Sequence, residues 1–154
     1  MKKIIFVLLT LFTLQGFAQE TSKQYDKIGR FSKGIAIVWK NGLCGIIKQN
    51  GDELVKPEYE KIGAFGPDAL SYTTKEGKVG LLNLEGKVIV PNIYESIGAF
   101  KNYYAITKKN GMSGMINKKG KVVIKNEYEK ISVGRHGEIR AVKEGKEIML
   151  DIKD

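Results

Sequence analysis

The sequence has very few of the residues that most often supply covalent cross-links, metal ligands or catalytic groups. Among its 154 residues are one cysteine (Cys44), one histidine (His136), one tryptophan (Trp39) and three prolines. A single cysteine excludes an intramolecular disulfide, so packing alone must hold the fold together. One cysteine and one histidine do not make a zinc site. We therefore predict no metal site and no cofactor.

Long apolar runs are also absent, except for one at the beginning of the chain. Two lysines precede an apolar segment, Ile4–Phe12, and Gly16-Phe17-Ala18 has the small-x-small pattern of a cleavage site. The apolar core is about ten residues, against the ~20 needed to cross a bilayer, which disfavours an uncleaved anchor. We predict a signal peptide at 1–18, a polar lead at 19–24, and an exported chain, periplasmic or secreted, without a transmembrane segment after processing.

Acidic residues are outnumbered by basic ones, but the excess is not concentrated. The formal charge is +9, from 26 Lys and Arg against 17 Asp and Glu, and removal of Lys2 and Lys3 lowers it to +7. Such a surface attracts anionic polymers. The lysines are spread over the chain, however, and no aromatic–basic nucleic-acid motif is present. No specific nucleic-acid partner is predicted.

The feature that organises the chain is a repeated heptapeptide. It is Tyr25-Asp-Lys-Ile-Gly-Arg-Phe31, then 59–65, then 94–100, and a degenerate copy begins at Tyr128. The tyrosines are 34, 35 and 34 residues apart, and a fixed period of this size indicates a repeat architecture. The repeats span 25–58, 59–93 and 94–127, with a partial fourth at 128–154, in which Gly134 takes the Phe position.

Each repeat reads as three strands separated by turns. Asn-Gly or Glu-Gly pairs occur at 41–42, 76–77 and 110–111, and such pairs between apolar runs favour tight hairpins. The leading strands are predicted at 34–39, 69–74 and 103–107, the middle strands at 43–48, 78–83 and 112–117, and the trailing strands at 53–57, 87–91 and 121–125. Pro57 and Pro91 are expected to end their strands. No helical period is sustained after residue 20.

A glycine recurs in the third position of every complete middle strand, at Gly45, Gly80 and Gly114. A strand glycine marks either a bulge or a place where another element approaches the backbone closely, and we expect a repeat tyrosine as that neighbour. The fold prediction is all-β: tandem repeats of about 34 residues, each a three-stranded antiparallel β-meander, in an open twisted β stack. A small closed, propeller-like ring is the alternative.

The repeats resemble the bacterial WG-repeat family over nearly the whole chain from Tyr25. The shared pattern is Tyr-acidic-x-Ile, then Phe, Ala-x-Val, Gly-x-x-Gly and Gly-Lys-Val-Val-Ile. The family is named for a Trp-Gly pair in the middle strand. Here the glycine of that pair is kept, but Cys44, Val79 and Ser113 replace the tryptophan. The resemblance implies a β-rich repeat of exported or envelope proteins that serves as an interaction module. It implies no catalytic residues.

No residue arrangement points to catalysis. His136 lies in a loop, and no nucleophile motif surrounds Cys44 or any serine. The acidic residues that follow the repeat tyrosines do not make a calcium loop, and we expect them to pair with lysines or to be solvated. The chain is predicted not to be an enzyme.

The leading functional hypothesis is an exported, non-enzymatic repeat module that binds a protein or a cell-envelope polymer. An exported hydrolase of glycan or peptide, and a binder of anionic polymers, are the alternatives. The repeat tyrosines are expected to be core residues. The best candidates for partner contacts are aromatic or special residues that break the repeat: Trp39, Tyr72, Tyr103, Tyr104 and His136.

Overall fold

The computed structural model describes residues 24–101 and 103–152, which form four antiparallel β-sheets. The predicted signal peptide and the lead up to residue 23 lie outside the described residues. The strands are β1 (Lys27–Ile28), β2 (Ile35–Lys40), β3 (Leu43–Lys48), β4 (Glu53–Tyr59), β5 (Lys61–Ile62), β6 (Leu70–Lys75), β7 (Lys78–Asn83), β8 (Val88–Tyr94), β9 (Ser96–Ile97), β10 (Tyr104–Lys109), β11 (Met112–Asn117), β12 (Val122–Tyr128), β13 (Lys130–Val133), β14 (Ile139–Lys143) and β15 (Lys146–Leu150). Across the described ranges, no helix has the length and apolarity to cross a membrane.

Each repeat folds as one meander, so the three predicted strands per repeat are confirmed. The sheets follow the chain in the orders β1-β2-β3-β4, β5-β6-β7-β8, β9-β10-β11-β12 and β13-β14-β15. All four sheets also gain a short strand that the sequence did not reveal, and the fourth has no trailing strand within the described residues. Residues just after each repeat tyrosine pair with the leading strand, as Ile28 does with Val38. A strand of two residues is too short to show the alternation of apolar and polar side chains by which a strand is recognised in a sequence.

Tight hairpins join the leading and middle strands, as the sequence predicts. Asn41 and Gly42 have φ values of 51° and 77°, and the pairs at 76–77, 110–111 and 144–145 repeat this conformation. Positive φ at both central residues defines the type I′ turn, whose twist matches that of the flanking strands.

The mid-strand glycines are required by the trailing strand, not by a tyrosine. A Cβ placed on Gly45 would lie 2.5 Å from the carbonyl oxygen of Val55, and Gly80 and Gly114 are equally crowded by their trailing strands. The register shifts at each of these points, so a bulge brings the two backbones together.

The trailing strands run on past Pro57 and Pro91, contrary to expectation, because these strands lie at sheet edges, where a missing N–H is tolerated.

The sheets stack face to face, and each junction between neighbours is filled by one apolar cluster. In the first junction Ile46 of β3 packs with Leu82 of β7, and the next two junctions are built in the same way. Among the described residues, no cluster joins the first and fourth sheets. The architecture is therefore the open stack rather than the closed ring.

The fourth sheet is the last of the described stack, and its outer face carries charged side chains beside an exposed methionine. At the position where Ile37, Tyr72 and Ile106 point into a junction, this sheet carries Arg140, whose Nη1 lies 3.6 Å from Oε1 of Glu147. Met149, which pairs with Arg140 on the same face, is 63% exposed. Ile148 replaces the mid-strand glycine. The fourth repeat is therefore atypical, as the sequence predicts, and Arg140 and Glu147 add charge to the face that packs in the other repeats.

Candidate functional site

The repeat tyrosines belong to the core. Tyr25, Tyr59 and Tyr94 are each no more than 6% exposed, and Tyr59 and Tyr94 belong to the clusters between sheets. Burial raises the pKa of all three hydroxyls, with a smaller contribution from the Glu53 charge for Tyr25 and from the Glu58 charge for Tyr59. An aromatic ladder open to a ligand is therefore not formed by these residues.

The acidic residue after each tyrosine has a structural role that the sequence did not reveal. The Asp26 carboxylate accepts a 2.6 Å hydrogen bond from the Asn41 amide, and Glu60 accepts one from the Gly77 amide at 3.2 Å. Glu95 and Glu129 do the same in later repeats. These carboxylates thus cap the type I′ hairpins instead of pairing with lysines. No group of three His, Cys, Asp or Glu in the described ranges is arranged to hold a metal ion.

The repeat phenylalanines mark one edge of the stack, which we call the phenylalanine edge. It comprises the loops that precede β2, β6, β10 and β14. Phe65 packs into the first junction and Phe100 into the second. Phe31 is 40% exposed and belongs to no core cluster of the described residues. In the fourth repeat the same position is Gly134, so the third junction receives no phenylalanine ring at this position.

A cavity of about 280 Å³ lies in the third junction, on the phenylalanine edge. Its walls are mainly apolar and include Tyr104, Met115, Val133, Ile139, Leu150 and Ile152. Lys101, Glu138 and Asp151 supply its charged groups. The first junction has a related groove of about 200 Å³, but there Phe65 forms part of the wall. The larger cavity lies in the junction where Gly134 replaces the repeat phenylalanine.

Tyr103 is the most exposed large hydrophobic residue at this edge and has an unfavourable backbone conformation. Its side chain is 72% exposed and its φ is 73°. The same repeat position holds Gly34 and Ala69, both with positive φ. The ammonium of Lys118 lies 5.1 Å from the Tyr103 ring centre, within cation–π range, and 2.7 Å from Oδ1 of Asp68 in the preceding repeat.

Three of the five predicted contact residues lie on the phenylalanine edge near the cavity, in the third and fourth repeats. Tyr103 adjoins Tyr104, which lines the cavity, and exposed His136 belongs to the loop whose Gly137 and Glu138 also line it. The His136 amide donates to Oε2 of Glu138 at 3.0 Å.

Trp39 and Tyr72 lie elsewhere and pack against the core. The Trp39 ring is half-buried in the first junction beneath the ammonium of Lys27, 4.9 Å from the ring centre. The Tyr72 hydroxyl donates a 2.8 Å hydrogen bond to the Gly98 carbonyl in the next repeat, and burial raises its pKa. Both residues serve packing between repeats.

The cavity residues Met115, Val133 and Ile152 were not singled out from the sequence. Met115 occupies a position that is apolar in every repeat, and Val133 and Ile152 are single apolar residues without a motif around them, so nothing in the local pattern marks these residues. The available signal was the glycine at position 134, which implies an unfilled place in the preceding junction.

Comparison with known proteins agrees with the repeat pattern. No curated protein matches the chain. The sequence model of the family described as "WG containing repeat" matches four successive segments, 21–44, 45–78, 80–112 and 114–146. Three of them begin at Gly45, Gly80 and Gly114, the crowded glycines of the middle strands. The chain therefore belongs to the family of proteins with WG containing repeats.

Proposed function

We propose that the chain is an exported, non-enzymatic binding module whose partner is a protein or a cell-envelope polymer. The partner is bound at the phenylalanine edge, around the third and fourth repeats. The observation that carries this proposal is Tyr103, an aromatic side chain held in solvent on a strained backbone.

The strain at Tyr103 is not offset by packing of its side chain. A non-glycine residue in the left-handed region costs about 1–2 kcal/mol, and the equivalent residues are Gly34 in the first repeat and the small Ala69 in the second. A 72% exposed ring gains little from burial. Strained residues that persist without a packing benefit tend to mark functional sites.

The surroundings of Tyr103 suit a contact residue. Its ring offers an apolar face and a hydroxyl, the combination that makes tyrosine common at the centre of binding interfaces. Lys118 is held against the ring by its ion pair with Asp68, so a cation and an aromatic face are presented together. The nearby cavity adds a concave apolar surface.

The test is capture of partners from the native cell envelope by crosslinking, comparing the wild type with Tyr103→Gly. Glycine relieves the backbone strain, so this variant is expected to fold while its recovery of the partner falls at least tenfold. Val88→Ala is the matched control, because Val88 is also an exposed apolar residue, at 47%, but lies in β8. Equal recovery by wild type and Tyr103→Gly would refute the proposal.

A salt titration of the captured complex distinguishes the kinds of partner. Binding dominated by the basic surface falls steeply as salt rises, because counterions are released from a polyanion. Contacts centred on Tyr103 and the cavity are mainly apolar and are expected to change little between low and physiological salt. A steep decrease that Tyr103→Gly does not alter would assign binding to the lysines.

A further inference from the structure

We propose that copies of this chain associate head to tail, with Phe31 of one copy inserted into the third-junction cavity of the next. This inference does not depend on the partner proposed above. It rests on an exposed ring at one end of the stack and an unfilled ring position at the other.

The cavity has the location and lining of a phenylalanine site. In the first junction Phe65 packs against Ile35 and Leu84, and the equivalent positions in the third junction are Tyr104 and Ile152, which line the cavity. Val133 stands where the second and third repeats have Ala64 and Ala99, and it fills only part of the space. An opening of about 280 Å³ remains, enough for an aromatic ring.

Phe31 is the repeat phenylalanine without a junction. Phe65 and Phe100 each pack against residues of the preceding sheet, whereas Phe31 is 40% exposed and no cluster of the described residues includes it. It lies in the loop between β1 and β2, where a neighbouring molecule can reach it. The same ring that fills two junctions within the chain is thus presented to solvent by the first repeat.

The charges beside the ring and beside the cavity are complementary. Arg30 precedes Phe31, and both Arg30 and Lys33 are exposed. The cavity has two carboxylates, Glu138 and Asp151, and one cation, Lys101. In a chain with a net charge of +9, this is a local excess of negative charge that favours a basic loop and fixes its orientation.

The contact joins two different surfaces, so each added copy exposes a fresh cavity or a fresh ring. Such a heterologous contact generates open chains unless its rotation closes a ring. The buried surface is small, so association is expected to be reversible and visible only at high protein concentration, up to about 500 µM.

Sedimentation analysis of the purified protein over that concentration range tests the proposal. We expect the average mass of the wild type to increase with concentration. Phe31→Ala removes the ring, and Gly134→Phe fills the cavity from within, so each variant alone should stay monomeric. Ile93→Ala is the matched control, because Ile93 is also 40% exposed, and it should associate like the wild type.

Mixing the two variants gives the decisive measurement. Phe31→Ala keeps its cavity and Gly134→Phe keeps its exposed ring, so a 1:1 mixture can form one contact and no more. We expect dimers that do not grow with concentration. A wild type that remains monomeric, single variants that still associate, or a mixture that fails to dimerise would each overturn the proposal.

A pair of charge variants tests the same contact independently, in case the ring introduced by Gly134→Phe does not fit the cavity. A Cβ at Gly134 meets the flexible carboxylate of Glu138, which must move aside. Asp151→Arg changes an exposed residue at the cavity and should weaken wild-type association, and mixing it with Arg30→Glu should restore association. Unchanged association in Asp151→Arg and in Arg30→Glu would also contradict the proposed contact.

Discussion

At the scale of single residues, the repeat is constrained most strongly at the mid-strand glycine. Three independent copies have the same crowding, with a trailing-strand carbonyl oxygen 2.5–2.7 Å from where a Cβ would be. Neighbouring backbone atoms are involved, and backbone cannot move aside as a flexible side chain can. The tryptophan that gives the family its name is absent here, whereas this glycine is present in all three complete repeats.

Gly80→Ala is expected to lower the free energy of unfolding by about 2 kcal/mol or more, because the added methyl group forces the bulge apart. Gly63→Ala is the control. Its Cβ would lie 3.4 Å from the Tyr72 carbonyl oxygen, an ordinary contact, and its φ is not positive. Urea denaturation followed by circular dichroism measures both variants. Similar losses in the two would show that the close approach at Gly80 has no special cost.

Sequence reasoning found the glycine but not its neighbour. The period identified the position as structurally special, yet which element approaches it depends on the register of the trailing strand, and that register changes at the bulge. The strain at Tyr103 was hidden for a similar reason. Only alignment with Gly34 and Ala69 in three dimensions shows that its backbone must adopt positive φ.

At the scale of strands, local signals predicted what local geometry controls. The middle strands begin and end where the sequence placed them, because a glycine turn marks each end. The trailing strands extend to the tyrosines, past the predicted ends, because edge strands accept proline and bulges. The short strands and the cavity depend on tertiary packing, which no single segment encodes.

In the second and third repeats, an asparagine side chain of the trailing strand also forms hydrogen bonds to the leading and middle strands. The Asn92 amide group donates to the carbonyl oxygens of Thr73 and Lys78 and to the Thr73 hydroxyl, at 3.0–3.1 Å. Asn126 makes the equivalent bonds to Thr107 and Met112. In the first repeat these positions hold Val38 and Pro57, so an apolar pair replaces the polar one.

Asn92→Ala is expected to cost about 2 kcal/mol of stability, because a buried hydroxyl and two carbonyl oxygens lose their donor. The double variant Thr73→Val, Asn92→Pro copies the first repeat and should recover part of that loss. A double-mutant cycle measured by urea denaturation, with Thr73→Val and Asn92→Pro as the two single variants, gives the coupling energy. Additive effects would show that the two side chains do not act as a pair.

At the scale of the whole molecule, stability comes from a row of similar junctions. Each sheet packs on its neighbour, so the stack behaves as a sum of repeats and interfaces rather than as one central core. Buried Cys44 lies in the first junction, buried Tyr94 in the second, and partly buried Tyr104 and Tyr128 in the third. Conditions that act on every junction at once should therefore unfold the stack in one transition.

Alkaline pH acts on the first two junctions, because Tyr59 lies in the first junction and Tyr72 and Tyr94 lie in the second. Burial is the main cause of the raised pKa of Tyr25, Tyr59, Tyr72 and Tyr94. A group whose pKa is higher in the folded state contributes stability that is complete below its unfolded pKa, about 10 for tyrosine, and is lost as pH rises through the folded value. Stability should therefore be nearly constant below pH 10 with respect to these groups and decrease above it. Circular dichroism and tyrosinate absorbance, followed together from pH 8 to 12, should change in one transition.

Tyr72→Phe provides the internal check on this mechanism. The variant loses the hydrogen bond to Gly98, so it should be less stable at pH 8 by about 1 kcal/mol. It also has one fewer hydroxyl with a raised pKa, so its stability should decrease less steeply with pH above 10 than that of the wild type. Urea denaturation at several pH values gives both slopes. Identical slopes would mean that Tyr72 does not contribute to alkaline unfolding, and a wild-type stability that does not change up to pH 12 would exclude the role of all four tyrosines.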